Sequence, residues 1–406
     1  MKAINQFRND FENTLNMSEG IIKNIRSKAF EKFISEKFPT RKDEYWKYSD
    51  PSSILKLDLN YNDSGILENG NYDIILSNGK IVKTTTKLKS GTIAEGLNNG
   101  SIPKNLLKNE KNPFLNLNNA FAINGCYLIL DSEEKKDIKI LNLISNDGRS
   151  QAIYPKLIII AKENSDSTIF EEIKVKGTGT NFVNSVTDII IENGANLEHI
   201  ILDDFAKDTY NISNICVKQK KDSNFISHNF SVGKKLARRD YNIELVGTGA
   251  NCDLYGLYFV EGNNHIDHHT TIEHKKEHCT SNEHYKGILS GKAVGVFNGR
   301  IHVHPKAQKT DAIQNNQNLL LTDDAIIHTK PELEIYADDV KCTHGATVGQ
   351  LDDKALFYLR TRGLNQKSAQ QLLMRAYVGE IIDHIGNRNI RSKIMDIVLN
   401  RLPKGD

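Results

Sequence analysis

GANCDLYGLYFV, residues 249–260, begins with a corner of small and polar residues and continues as an alternating strand. The same design recurs along the chain: GANLEHIIL from Gly194, DSNFISHNFSV from Asp222, CTSNEHYKGILS from Cys279, TDAIQNNQNLLL from Thr310 and DDVKCTHGATVG from Asp338. The recurrence is roughly 28 residues, within the range that marks repeat architectures. No helical stripe fills the gaps, which excludes leucine-rich and ankyrin-type repeats. Strand-only coils of this length bury their inward residues by stacking on one another. The fold expected is therefore mainly β: a right-handed parallel β-helix core. A β-sandwich is the alternative, but sandwiches lack a fixed long period. Asn and Gln at equivalent corners are placed to form hydrogen-bonded ladders.

Upstream, short β-rich runs start near residue 119, at 126–130, 138–144, 156–161, 168–175 and 187–191. Further back, from about residue 61 to 113, the pattern is weak and reads as a loosely structured connection. The N-terminus is helical: Ile4, Phe7, Phe11 and Leu15 fall at helical spacing. A second stripe runs through Ile21, Ile22, Ile25, Ala29, Phe30 and Phe33, with Ser18 as its expected N-cap and Pro39 as its end. Trp46, the single tryptophan, sits in RKDEYWKYSD and reads as an anchor to the body. After Gly349 the period becomes helical again. Asp352 or Asp353 and Asn365 or Ser368 are the expected caps, and Gly363 the expected C′ residue. The expected division is 1–118, N-terminal helices with an irregular connection; 119–349, β-helix; and 350–406, helices that cover the open end of the β-helix.

The chain has 406 residues, 38% hydrophobic and 26% charged, with a formal net charge of +2. That balance gives no electrostatic case for nucleic acid or anionic lipid. No apolar run approaches the roughly 18–20 residues that span a bilayer, and residues 1–16 do not read as a signal peptide. Cys126, Cys216, Cys252, Cys279 and Cys342 are scattered and odd in number, as for free thiols in the reducing cytoplasm. No CxxC pair is present, so an all-cysteine cluster or zinc site is not expected.

GILSGKA, residues 287–293, has the wrong spacing for a phosphate loop and lacks a hydroxyl residue after its lysine. The chain is not expected to hydrolyse ATP. His265, His268, His269, His274, His278 and His284 cluster in sequence, but their parities point to opposite strand faces. His302 and His304 share a parity and are a better metal candidate. Cys342 and His344 are the best: i and i+2 on a strand face the same way, with Cα atoms roughly 6.5–7 Å apart. Two donors fall short of the four that close a metal site, so either another subunit completes it or there is no site at all.

Residues 337–362, ADDVKCTHGATVGQLDDKALFYLRTR, closely resemble the C-terminal signature of the SufB/SufD scaffold family of iron–sulfur cluster assembly. FPTRKDEYWKYSDPSSI, residues 38–54, and KAQKTDAIQNNQNLLLTDDAIIHTKPELEIYADDV, ending at Val340, resemble it too; residues 61–177 match loosely. Gly345, where the SufB branch carries glutamate, points to the SufD branch. The resemblance implies a non-catalytic subunit that pairs with a SufB-type paralogue through the β-helix. It also implies that the C-terminal helices dock a SufC-type ATPase, whose turnover would expose the assembly site. The histidine matching His344 lies at the SufB–SufD interface, near a reactive cysteine of SufB that this chain lacks. His344, with Cys342 second, would then share a transient iron or iron–sulfur cluster with that partner. No cofactor would be bound stably by the isolated chain, which could homodimerise when alone. A β-helix carbohydrate-active enzyme and a homodimeric structural scaffold are the other readings.

Overall fold

The computed structural model describes residues 2–107, 111–122, 124–131, 136–204 and 208–402. Two parallel sheets face each other across one core. A ten-stranded sheet runs from Lys80–Thr84 and Ile74–Ser77 through Lys136–Asp147 to Lys341–Gly349. An eleven-stranded sheet runs from Ser90–Thr92 and Cys126–Leu130 to Ile326–Ile335. From Lys156–Ala161 onward successive strands alternate between the sheets, so each coil lays one strand on each and the whole is a parallel β-solenoid.

The repeat has a local cause. Asn164, Gly194, Asp222, Gly249, His278 and Lys309 all have positive φ, between 52° and 73°. Each sits two residues before a strand of the ten-stranded sheet, so one left-handed residue turns every coil. Gly adopts that conformation freely, and Asn and Asp tolerate it. The coils are then held in register. Asn196 pairs with Asn224, Asn224 with Asn251, Asn251 with Thr280, Thr280 with Asp311 and Asp311 with Lys341, steps of 27 to 31 residues. The expected corner ladder exists over three coils: Asn251 Nδ2 donates to Asn224 Oδ1 at 2.7 Å, and Thr280 Oγ1 to Asn251 Oδ1 at 2.5 Å.

Stacking makes columns of like residues. Ile159, Ile189, Val217, Ile243, Ile272, Ile301 and Leu333 are successive register partners in the eleven-stranded sheet. All but Leu333 are buried. Each such side chain contributes about 1.5–3 kcal/mol on burial.

Among the described residues, seven α-helices flank the solenoid: α1 (Lys2–Leu15), α2 (Gly20–Glu36), α3 (Ile93–Asn98), α4 (Pro113–Phe121), α5 (Asp353–Thr361), α6 (Gln366–Ile382) and α7 (Arg388–Arg401). The rings of Phe11 and Phe30 stack at 4.1 Å to hold α1 on α2. Ser18 does not cap α2. It is buried and accepts a hydrogen bond from Arg26, whose guanidinium also reaches the Thr14 and Ala120 carbonyls at 3.0 and 2.6 Å. The stretch expected to be a loose connection is partly sheet. Ile74–Ser77 is fully buried and pairs with Lys136–Asp147, and Ser90–Thr92 pairs with Cys126–Leu130. These pieces are short, which is why their periodicity is faint.

Trp46 anchors its motif as expected. It is buried, with the Arg238 guanidinium 3.9 Å from its ring centre. Ser49 Oγ donates to Asp267 Oδ2 at 2.5 Å and bonds His265 Nε2 at 2.7 Å. Burial opposes the Asp267 charge, but His269 and Arg238 outweigh it and hold its pKa well below the carboxylate range.

The C-terminal caps are Asp352, Asn365 and Asn387. These helices do not cover the open end. Met374, Val378, Ile381 and Ile382 of α6 instead pack on Ile200, Leu202, Phe230 and Leu257, on the outer face of the ten-stranded sheet. That face is apolar on both sides of its strands, so burying it takes precedence over closing the stack. Among the described residues, no helix is long and apolar enough to cross a membrane.

Candidate functional site at the uncovered end

Lys341–Gly349 pairs on one side with Asp311–Leu320 and, among the described residues, with no strand on the other. In Asp311–Leu320 the buried, inward positions are Ala312, Gln314, Asn316 and Asn318. Their register partners are Cys342, His344, Ala346 and Val348. Cys342 and His344 thus share a face, as their spacing predicted, and that face is the core side of the solenoid. Because no further coil of the described residues lies above it, His344 is exposed and Cys342 is half-buried.

Cys342 packs against the small apolar cluster of Ile301, Val303, Ala307, Ala312 and Ala337. Burial, and then the Asp311 charge, push its thiol pKa up, which favours the neutral thiol in the isolated chain. Below His344 the column continues through Gln314 to Glu283. Gln314 Nε2 and Thr270 Oγ1 both donate to Glu283 Oε2, at 2.9 and 2.8 Å. Burial raises the Glu283 pKa to about 7. Beside it, Tyr258 donates to Asn318, and Asn318 Nδ2 to Asn316 Oδ1 at 2.6 Å. Polar groups thus fill this column in the last coils, as they do earlier in the stack where Asn142, Glu171 and His199 are buried and hydrogen-bonded together. Sequence reasoning missed this column, because the repeats put Glu283, Gln314 and His344 at one offset only when aligned on Thr280, Asp311 and Lys341, their strand register partners.

The clustered histidines disperse, as their parities required. His265 joins Ser49, His268 points inside to Ser231 Oγ at 3.1 Å, His269 meets Asp267 at 3.0 Å, and His274 meets Ser281 at 2.9 Å. His302 and His304 do come together, with rings parallel at 4.3 Å. Residues 287–293 lie at a strand end and a turn, followed by another strand, so no helix N-terminus stands behind Lys292 for a phosphate.

Exposed apolar residues gather at this end: Ile313, Ile326, Ile335, Tyr336 and Val348. On the C-terminal helices, Phe357 and Tyr358 of α5 are 69% and 56% exposed, and Leu372 of α6 is exposed as well.

Comparison with known proteins places the chain. Residues 143–377 match the family model for the SufBD core domain of the SUF system of FeS cluster assembly, and residues 2–73 the SufBD N-terminal region. The iron–sulfur cluster assembly protein SufD of Escherichia coli is 28% identical over 90% of both chains. An iron–sulfur cluster assembly SufBD family protein of Synechocystis is 28% identical over 94% of this chain and 91% of its own. One from Mycobacterium leprae is 32% identical over 56% of this chain and 59% of its own. The chain belongs to the SufB/SufD family of iron–sulfur cluster assembly proteins.

Proposed function

We propose that this chain is the SufD-like, non-catalytic subunit of a cytoplasmic SufBCD-type scaffold. Its uncovered last coil pairs with a SufB-type paralogue. Its C-terminal helices dock a SufC-type ATPase, and His344, with Cys342, helps to hold iron or a nascent cluster transiently at the shared interface. The observation that carries this reading is the position of Cys342 and His344, on core-facing sites that the chain itself leaves uncovered. A partner coil laid over Lys341–Gly349 would bury Ala346 and Val348, pair the free strand edge and bring its own donors to His344. One imidazole and one thiol leave a coordination shell half filled, so the cluster is cargo shared with the partner. Without that partner, the same surface suits a second copy of this chain. Exposed Phe357 and Tyr358 support α5 as the ATPase contact.

The test is co-expression with both partners, measuring subunit ratio and cluster content. His344→Ala should leave the complex intact and lower its cluster load severalfold, with Cys342→Ala milder. Normal loading in His344→Ala would remove that residue from the mechanism. Phe357→Ala should weaken capture of the ATPase alone. A point change is preferable to deleting the helices, which would bare the apolar face beneath α6.

A further inference from the structure

Glu273, His302 and Glu334 are register partners on three adjacent strands of the eleven-stranded sheet. They alternate with buried Ile272, Ile301 and Val303, so they face outward. His304 follows two residues after His302, and its ring lies parallel to that of His302, with an interplanar angle of 7°. One ligand atom from each of Glu273, His302 and His304 lies within 4.8 Å of the others. His304 Nε2 is 3.3 Å from Glu273 Oε2, and His302 Nδ1 is 3.8 Å from Glu334 Oε2. His302 Nδ1 is shielded from solvent and has no hydrogen-bond partner.

We propose that Glu273, His302 and His304 form a binding site for one divalent d-block cation, zinc(II) or iron(II), with Glu334 as a fourth ligand. Two imidazole nitrogens and a carboxylate oxygen are the donor set that zinc(II) and iron(II) take. Calcium and magnesium prefer all-oxygen shells. Bonds of about 2.0–2.1 Å bring ligand atoms to roughly 3.4 Å apart in a tetrahedral site. The remaining closure needs only rotation of part-exposed side chains. Lys275 Nζ lies 3.1 Å from Glu273, and Arg300 lies 3.6 Å from Glu334 and 3.9 Å from Glu273. The cation must displace these groups from the carboxylates, so binding is moderate and reversible. The site lies on the other sheet from Lys341–Gly349, and the proposal does not rest on the assembly role.

The experiment uses the full chain, stripped with a chelator and titrated with cobalt(II) as a visible probe, then with zinc(II) as competitor. The expected result is one equivalent of cobalt(II), displaced by zinc(II). His302→Ala, His304→Ala and Glu273→Gln should each weaken binding by about tenfold or more, while His344→Ala and Cys342→Ala leave it unchanged. Zinc(II) should also raise the melting temperature of the wild type and not of the three variants, whose own cooperative melting in the absence of metal shows that they are folded. Absence of stoichiometric uptake overturns the proposal. So does uptake insensitive to His302, His304 and Glu273, or uptake lost on changing His344.

Discussion

At its start the ten-stranded sheet ends in a hairpin whose outer strand, Lys80–Thr84, is five residues long and carries two lysines. At its finish it ends in Lys341–Gly349, nine residues with no proline and with Ala346 and Val348 uncovered. The eleven-stranded sheet repeats the contrast more weakly. It opens on the three-residue Ser90–Thr92 and closes on Ile326–Ile335, whose edge is interrupted by Pro331. Short strands, lysine and proline are the devices that stop a sheet edge from recruiting another chain. Short strands and paired lysines stand where the stack begins; where it stops, Pro331 interrupts one sheet edge and Lys341–Gly349 is neither short nor broken by proline. Filling does not follow that contrast: buried polar groups line the core early, at Asn142, Glu171 and His199, as well as late, at Glu283, Gln314, Asn316 and Asn318. One end of the stack is closed by short strands, and the other leaves a long strand edge open.

The largest expected effect tests the stability of the closed half. Ile189→Ala, in the middle of its buried column, should cost about 2–5 kcal/mol in urea unfolding. Val348→Ala at the open end should cost no more than about 0.5 kcal/mol. Equal losses would break the contrast.

The next effect concerns the polar filling. Glu283 has a folded pKa raised to about 7 from 4.5. The folded state therefore holds its proton more tightly than the unfolded one. The stabilisation is full below about pH 4.5 and is lost as pH rises through about 7. Glu283→Gln should match the wild type near pH 4.5 and exceed it at pH 8, by on the order of 1–3 kcal/mol. A parallel pair of stability curves across that window would show that the carboxyl is already ionised in the fold.

The smallest effect sharpens the account of the corners. Lys309 adopts φ 60° and His278 φ 58° with full side chains. Lys309→Gly should stabilise by about 1 kcal/mol, while Gly249→Ala, at φ 73°, should destabilise by a similar amount. Calorimetric melting would register both; a neutral Lys309→Gly would mean that the Lys309–Asp339 ion pair offsets the strain.

How much was legible in the sequence depends on period. The coils announced themselves because one left-handed corner and one inward-facing strand recur together, as at Gly194, Asp222 and Gly249. Helices with cap and stripe, such as the one begun by Asn365, were equally plain. The early strands were not, because Ile74–Ser77 is buried on both faces and too short to show alternation. The placement of α6 was not either, since an apolar stripe says that a helix is covered but not by which surface. At the site, Cys342 and His344 could be paired by parity alone. That they occupy core positions open to solvent depends on where the stack stops, and Glu273 joins His302 only through registration between coils.

The C-terminal helices are fastened at widely separated coils. Near the late coils, Tyr377 Oη donates to the Gln317 carbonyl at 2.9 Å and Lys286 to the Tyr377 carbonyl at 3.2 Å. Toward the early coils, Lys393 meets Glu172 at 2.9 Å and Asn387 reaches Asp137 at 3.2 Å. A stack in which each coil touches only its neighbours would unzip from a free end. These helices act as a tie-rod laid along it. Tension applied at α5, one short link beyond the last strand, is carried to the first coils through α6 and α7 and does not fall on Lys341–Gly349 alone. The open end can thus be pulled upon without peeling away.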